Sequence, residues 1–214
     1  MRLAVTITVG ALWFVPLAAA RGGHYAFDGG TDYEQAQVAA ALDASTFNLV
    51  PQTITVHIGP TYDDQALPGE VWLNSFRLDV GEGNWGTVQH EFAHQVDFYV
   101  LTDAQRETLR QFFGVAKWYP ATVDEEHADH ADLGAERFAT MVSWAYWQAQ
   151  ANNESPIWAP GEASADPAAF RALMTSLGFP QVLTCRRYLF TRGRWVTVRH
   201  HRRWKPPVYR KVCS

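Results

Sequence analysis

Two histidines four residues apart, with a glutamate directly after the first, are the residues of this chain best suited to chemistry. They stand in "VQHEFAHQVD", residues 88–97. On an α-helix, positions i and i+4 lie one turn apart on the same face, so His90 and His94 can turn ring nitrogens toward a single ion. Glu91 then sits beside that ion without binding it, placed to take a proton from a water molecule. This is the ligand geometry of the H-E-x-x-H motif, whose ion is zinc. Chance placement in a chain with 8 histidines gives on the order of 0.01 copies of the pattern. The motif is therefore informative, and its plain alternative is a solvated helical face that carries two histidines.

A catalytic zinc takes three protein ligands and keeps a fourth place open. The extended form H-E-x-x-H-x-x-G-x-x-H would need Gly at 97 and His at 100, where the chain has Asp97 and Val100. That class is excluded. The other source of a third ligand is a carboxylate projected from a second helix, and "GAERFATMVSWAYW" offers Glu136 at the start of an amphipathic run. An acid near a helix N-terminus is also stabilised by the macrodipole alone.

"HEFAHQVD" together with "AERFA" resembles the gluzincin zinc metallopeptidases, most closely the lethal-factor-like catalytic domains, in which H-E-F-x-H-x-V-D is followed roughly forty residues later by E-x-F-A. The likeness covers about residues 53–150. It implies that His90, His94 and Glu136 bind one catalytic Zn2+ and that Glu91 is the base. It also implies that Asp97, three residues after His94, orients an imidazole by a hydrogen bond from outside the ligand set. Two positions depart from the family. Thr140 stands where a second acid often follows the ligand Glu, and Asp129 stands where the family places a catalytic tyrosine. The electrophilic helper is thus unassigned, with His127, His130, Tyr119 and Tyr146 as candidates. The substrate implied is a protein or peptide, and the strand at residues 70–74 could present a free edge on which an extended chain lies.

These residues need elements to hold them. "TITVHIGP" alternates Thr with Ile and Val before Gly59 and Pro60, the pattern of a half-buried strand and a turn, and "EVWLN" is a second strand. Upstream, "RGGHYAFDGGTDY" reads as an exposed leader, followed by a short helix from about Glu34 to Leu42. The motif helix is expected over about 87–101, with Val88, Phe92, Val96 and Tyr99 as its apolar stripe and Asn84 or Thr87 as N-cap. Thr102 and Gln105 form a capping-box pattern for a helix to Phe113. A helix from about Leu133 to Gln150 carries Glu136, and a last one starts at Pro167.

Charge divides the chain. All 22 acidic residues fall in 21–184 with seven basic ones, whereas 185–214 holds ten basic residues, no acid and interleaved aromatics. Such a tail suits an anionic polymer or a cell-surface ligand, or it docks on the acidic body of its own chain. "YLFTRGRWVTVRH" reads as a β-hairpin around Arg192-Gly193. The first twenty residues put Arg2 ahead of an apolar run ending at Ala18 and Ala20, the form of a signal peptide, and no later stretch is apolar enough to span a membrane. Export would let Cys185 and Cys213 form a disulfide.

The expected architecture is α+β: a signal peptide at 1–20, a metallopeptidase-like domain at 21–184, and a basic, disulfide-closed appendage at 185–214. In the domain a small sheet packs on the helix with the H-E-x-x-H motif, and a second helix brings the third ligand. The expected activity is that of a secreted zinc metalloendopeptidase. The alternative is a non-catalytic surface- or polyanion-binding protein that keeps the same fold.

Overall fold

Alternation of Thr and His with Ile and Val makes Thr53–Gly59 (β2) a strand that buries Ile54, Val56 and Ile58 and leaves the intervening side chains partly open. The structure, a computed structural model, describes residues 24–47, 52–120 and 129–179, with the backbone of four further strands between 185 and 213. The expected signal peptide and His127 lie outside the described residues.

The fold is α+β. His24–Gly29 (β1), β2, Gln65–Leu67 (β3) and Glu70–Asn74 (β4) form one sheet in the order β1-β2-β4-β3, with β3 antiparallel to β4 and the other pairs parallel. Two expectations are corrected here. The expected exposed leader contains β1, in which Tyr25 and Phe27, two residues apart, turn to the core side and Tyr25 packs edge-on against Phe92 at 6.0 Å. The strand at residues 70–74 has neighbours on both sides, so it offers no free edge. Among the described residues, the edge on that side of the sheet belongs to β3 and the opposite edge to β1.

Among the described residues six α-helices accompany the sheet: Asp32–Ala44 (α1), Ser75–Leu78 (α2), Trp85–Tyr99 (α3), Asp103–Phe113 (α4), Gly134–Tyr146 (α5) and Pro167–Ser176 (α6). Thr31 with Glu34, and Thr102 with Gln105, close capping boxes at the starts of α1 and α4. Helix α3 lies against α1, α5, β3 and β4. Its apolar residues Val88, Phe92 and Val96 join Ile54, Val56, Val71 and Leu73 of the sheet and Val38 and Leu42 of α1 in one buried cluster.

Helix α5 ends at Tyr146, short of the expected Gln150. The reason is Asn152, which is fully buried and donates from Nδ2 to the carbonyls of Trp147 (2.8 Å) and Ser143 (3.2 Å). A side chain thus satisfies carbonyls that a longer helix would have bonded itself. Helices α4, α5 and α6 meet at Phe170, whose ring lies 5.9–6.4 Å from Phe112, Phe113, Phe138 and Tyr146.

In the basic segment the strands are Cys185–Thr191 (β5), Arg194–Val198 (β6), His201–Lys205 (β7) and Val208–Cys213 (β8). The turn expected at Arg192-Gly193 lies outside the described residues, and the hairpin expected around it is not the pairing observed: β6 pairs with β7 and β5 pairs with β8. The β5–β8 register puts Cys185 opposite Cys213, and Cα atoms facing across an antiparallel pair are about 4.5–5.5 Å apart, within the span of a disulfide. Among the described residues no helix is long and apolar enough to cross a membrane.

Truncating Phe170 to Ala removes the ring that joins three helices. The substitution is expected to lower unfolding free energy by about 3–5 kcal/mol, read as a fall in the urea midpoint with unchanged slope.

Candidate metal centre

Helix α3 places His90 and His94 one turn apart, and α5 brings Glu136 to the same point. His90 Nε2 lies 3.1 Å from His94 Nε2 and 3.2 Å from Glu136 Oε2, and His94 Nε2 lies 3.5 Å from the same carboxylate oxygen. The three groups could hold a metal ion. Ligand atoms bound at 2.0–2.1 Å in a tetrahedron are separated by about 3.4 Å, and the three observed spacings bracket that figure. At most one or two protons are available to link three atoms that all face one another, so a shared cation accounts for the arrangement more fully than hydrogen bonds do.

The far nitrogen of His90 is also fixed. Its Nδ1 meets Thr140 Oγ1 at 3.1 Å, and the Thr140 hydroxyl lies 3.2 Å from Glu154 Oε2 and 3.3 Å from Glu162 Oε2. Nδ1–H donating to the hydroxyl, which donates onward to a carboxylate, leaves the Nε2 lone pair directed at the other two ligand atoms. Thr140 sits one turn beyond Glu136 on α5, the position where the resembled family often has an acid. Here the acid comes from the 147–166 loop instead. Glu154 gave no signal in the sequence, because loop residues carry no periodicity.

Burial opposes charge on His90, but the contacts of Glu136 and Glu154 outweigh it and lift its pKa well above the ordinary imidazole value. For Glu136 burial raises the pKa, and the two imidazoles overcome this and hold it far below the carboxylate range. Burial dominates at Glu91 and raises its pKa.

A cleft of about 480 Å³ opens over these residues, lined by Asp64 to Leu67 on one side and by Glu91, Phe98, Tyr119 and His130 on others. Glu91 accepts no side-chain or backbone hydrogen bond among the described residues, whereas every other buried polar side chain of α3 is bonded. His130 reaches the cleft from the turn before α5, with Nδ1 3.7 Å from Glu136 Oε2 and a side chain 63% exposed.

Asp97 does not orient an imidazole. It is fully buried, and its Oδ1 accepts from Arg106 Nε at 2.7 Å while Oδ2 accepts from Trp118 Nε1 at 2.9 Å and from the Tyr119 hydroxyl at 2.8 Å. It therefore fixes the Trp118-Tyr119 wall of the cleft. Burial and the Asp97 charge raise the Tyr119 pKa. Tyr146 is not at the site. It faces Phe47 and Phe170 in the core, which removes it from the helper candidates.

Thr140→Val or Glu154→Gln is expected to weaken divalent-metal binding by about 10- to 100-fold, measured by competition with a chromophoric chelator. Thr140→Ser should stay close to wild type, and Tyr146→Phe should leave the affinity unchanged. The chain matches no family model, no curated protein and no solved structure, so the chemistry of this site rests on its own geometry.

Proposed function

We propose that this chain is an exported zinc-dependent metalloendopeptidase of the gluzincin kind, with His90, His94 and Glu136 as zinc ligands and Glu91 as general base. The observation that carries the reading is Glu91. Its carboxyl group lies in the cleft beside three converging ligand atoms, and it is the one buried polar side chain of α3 without a bond inside the chain among the described residues. A buried acid without an internal partner, opening on a cleft beside the ligand atoms, is explained when its partner is a reacting molecule.

Zinc suits two imidazoles and one carboxylate, and when bound there it supplies a Lewis acid that lowers the pKa of water from 15.7 towards about 7. Glu91, opening on the cleft, would take a proton from the attacking water and return it to the leaving amine. Tyr119 and His130, both in the cleft wall, are the remaining described candidates for sharing the developing charge on the carbonyl oxygen. Tyr119 must exchange its bond to Asp97 for this, while the exposed His130 meets Glu136 only at 3.7 Å. The free edge of β3 borders the same cleft, so an extended peptide can add to the sheet there and pass over Glu91.

The apolar opening of the chain supports export, and Cys185 opposite Cys213 suits an oxidising compartment. A second reading is favoured by the ten cations of residues 185–214: a non-catalytic binder of anionic polymers on the same fold.

Glu91→Gln separates the two. The peptidase should bind about one zinc per chain, keep it in the variant, and lose roughly 10²- to 10⁴-fold in hydrolysis of a peptide library, with chelator abolishing cleavage by wild type. The binder should cleave nothing as wild type and should capture a polyanion with an affinity that falls steeply with salt.

A further inference from the structure

Gln95 follows His94 directly, is wholly buried, and spends its amide on one short turn of the sheet. Its Oε1 accepts from the Gly69 N–H at 2.9 Å, and its Nε2 donates to the carbonyls of Leu67 at 2.9 Å and Glu70 at 3.0 Å. Leu67 is the last residue of β3 and Glu70 the first of β4, so one side chain of the metal-binding helix closes the connection between them from below. We propose that Gln95 is a positioning residue that fixes the edge strand β3 against α3 and thereby sets where a substrate backbone lies relative to Glu91 and the ligand triad. This inference rests on the peptidase reading above.

Strand β3 has little else to hold it. It forms three residue pairs with β4 and, among the described residues, has no strand on its outer side. A ladder that short is marginal by itself. Gly69 adopts φ +87°, a left-handed turn that directs its N–H inward to Gln95, while its carbonyl accepts from Thr55 N at 2.9 Å. The turn is therefore tied to β2 through one group and to α3 through three.

The consequence is mechanical. An extended peptide on the β3 edge takes its register from that strand, and the attacking and accepting groups take theirs from α3. Gln95 is the bonded link between the two frames, one residue from a ligand. Displacement of the substrate by about 1 Å through a change away from the reacting atoms can lower turnover about 100-fold. Nothing in this link touches the metal ligands themselves, so metal affinity and substrate positioning should respond differently to its loss.

Two variants test it. Gln95→Met keeps the volume and removes all three bonds; Gln95→Glu keeps the shape and the acceptor for Gly69 but turns both carbonyls against a carboxylate. Each would be compared with wild type, all loaded with zinc, in three measurements: zinc affinity by chelator competition, amide exchange of residues 65–70, and kcat and KM on a peptide chosen from the products of a library digest by the wild-type protein. The proposal expects zinc affinity within about threefold of wild type, exchange at 65–70 faster by about tenfold or more with α3 amides unchanged, and kcat/KM lower by about tenfold or more with a raised KM. Unchanged exchange at 65–70, or unchanged kcat and KM in a variant whose melting temperature alone has fallen, overturns the role of Gln95 and leaves the peptidase reading intact. Absence of any cleavage by the zinc-loaded wild type instead overturns the peptidase reading, and the positioning role with it. Should the Met variant fail to fold, the isosteric Glu variant carries the same comparison.

Discussion

Helix α3 is buried from Gly86 to Asp97, so its polar side chains have to find partners inside the protein or in the cleft. A buried group left unpaired costs about 1–3 kcal/mol, and this helix has seven buried polar side chains. All but Glu91 bond another side chain or a carbonyl among the described residues. Gln89 donates to the Ala41 carbonyl of α1 at 2.7 Å. His90 meets Glu136 and Thr140 of α5, Gln95 holds the turn between β3 and β4, and Asp97 holds Arg106 of α4 with Trp118 and Tyr119. The face with the candidate metal ligands is thus one part of a helix whose polar residues locate most of the elements around the cleft.

The loop after α5 belongs to the same construction, and it depends on a close approach to α3. A Cβ at Gly86 would lie 2.3 Å from Asn152 Oδ1 and 2.4 Å from Asn153 Oδ1, so the position needs glycine for lack of space. Through that gap Asn153 reaches the first turn of α3, accepting from the Thr87 N–H at 3.2 Å and donating to the Thr87 hydroxyl at 2.6 Å. Asn84 stands at the N-cap position, as expected, but makes no side-chain cap bond, and Asn153, distant in sequence, accepts from the first turn instead. Glu154 follows at once and arrives beside Thr140 and His90. A loop anchored on the helix start therefore delivers the acid that α5 itself lacks.

Periodicity made α3, α4 and α6 legible, since each carries an apolar stripe or a capping pattern, and the i, i+4 spacing of the histidines pointed to two of the three candidate ligands. Glu136 was legible as the acid opening the next amphipathic run. What stayed hidden depended on contacts between distant segments. Strand β1 was obscured by flanking glycines, and β3 is only three residues long, too short for alternation to register. Asp97 stands at the right spacing to serve His94, yet its carboxylate turns to Arg106, Trp118 and Tyr119, partners supplied by segments that follow the helix. Tyr146 shares α5 with Glu136 but lies ten positions on, where the helix faces Phe47 and Phe170 instead of the cleft.

Four carboxyl groups crowd this site, and their surroundings divide them into two kinds. Glu136 and Glu154 face the two ring nitrogens of His90, and those contacts overcome burial and hold both acids below the usual range. Glu91 and Glu162 have no such contact, and burial raises both, with Glu154 adding repulsion at Glu162. Groups of one type pushed apart in this way can take separate parts, one set permanently charged and the other able to exchange a proton nearer neutrality. Glu162 is engaged with the Thr140 hydroxyl, whereas Glu91 opens on the cleft. Of the four, only Glu91 combines a raised pKa, access to a substrate and freedom from an internal partner, and that combination is what a general base requires.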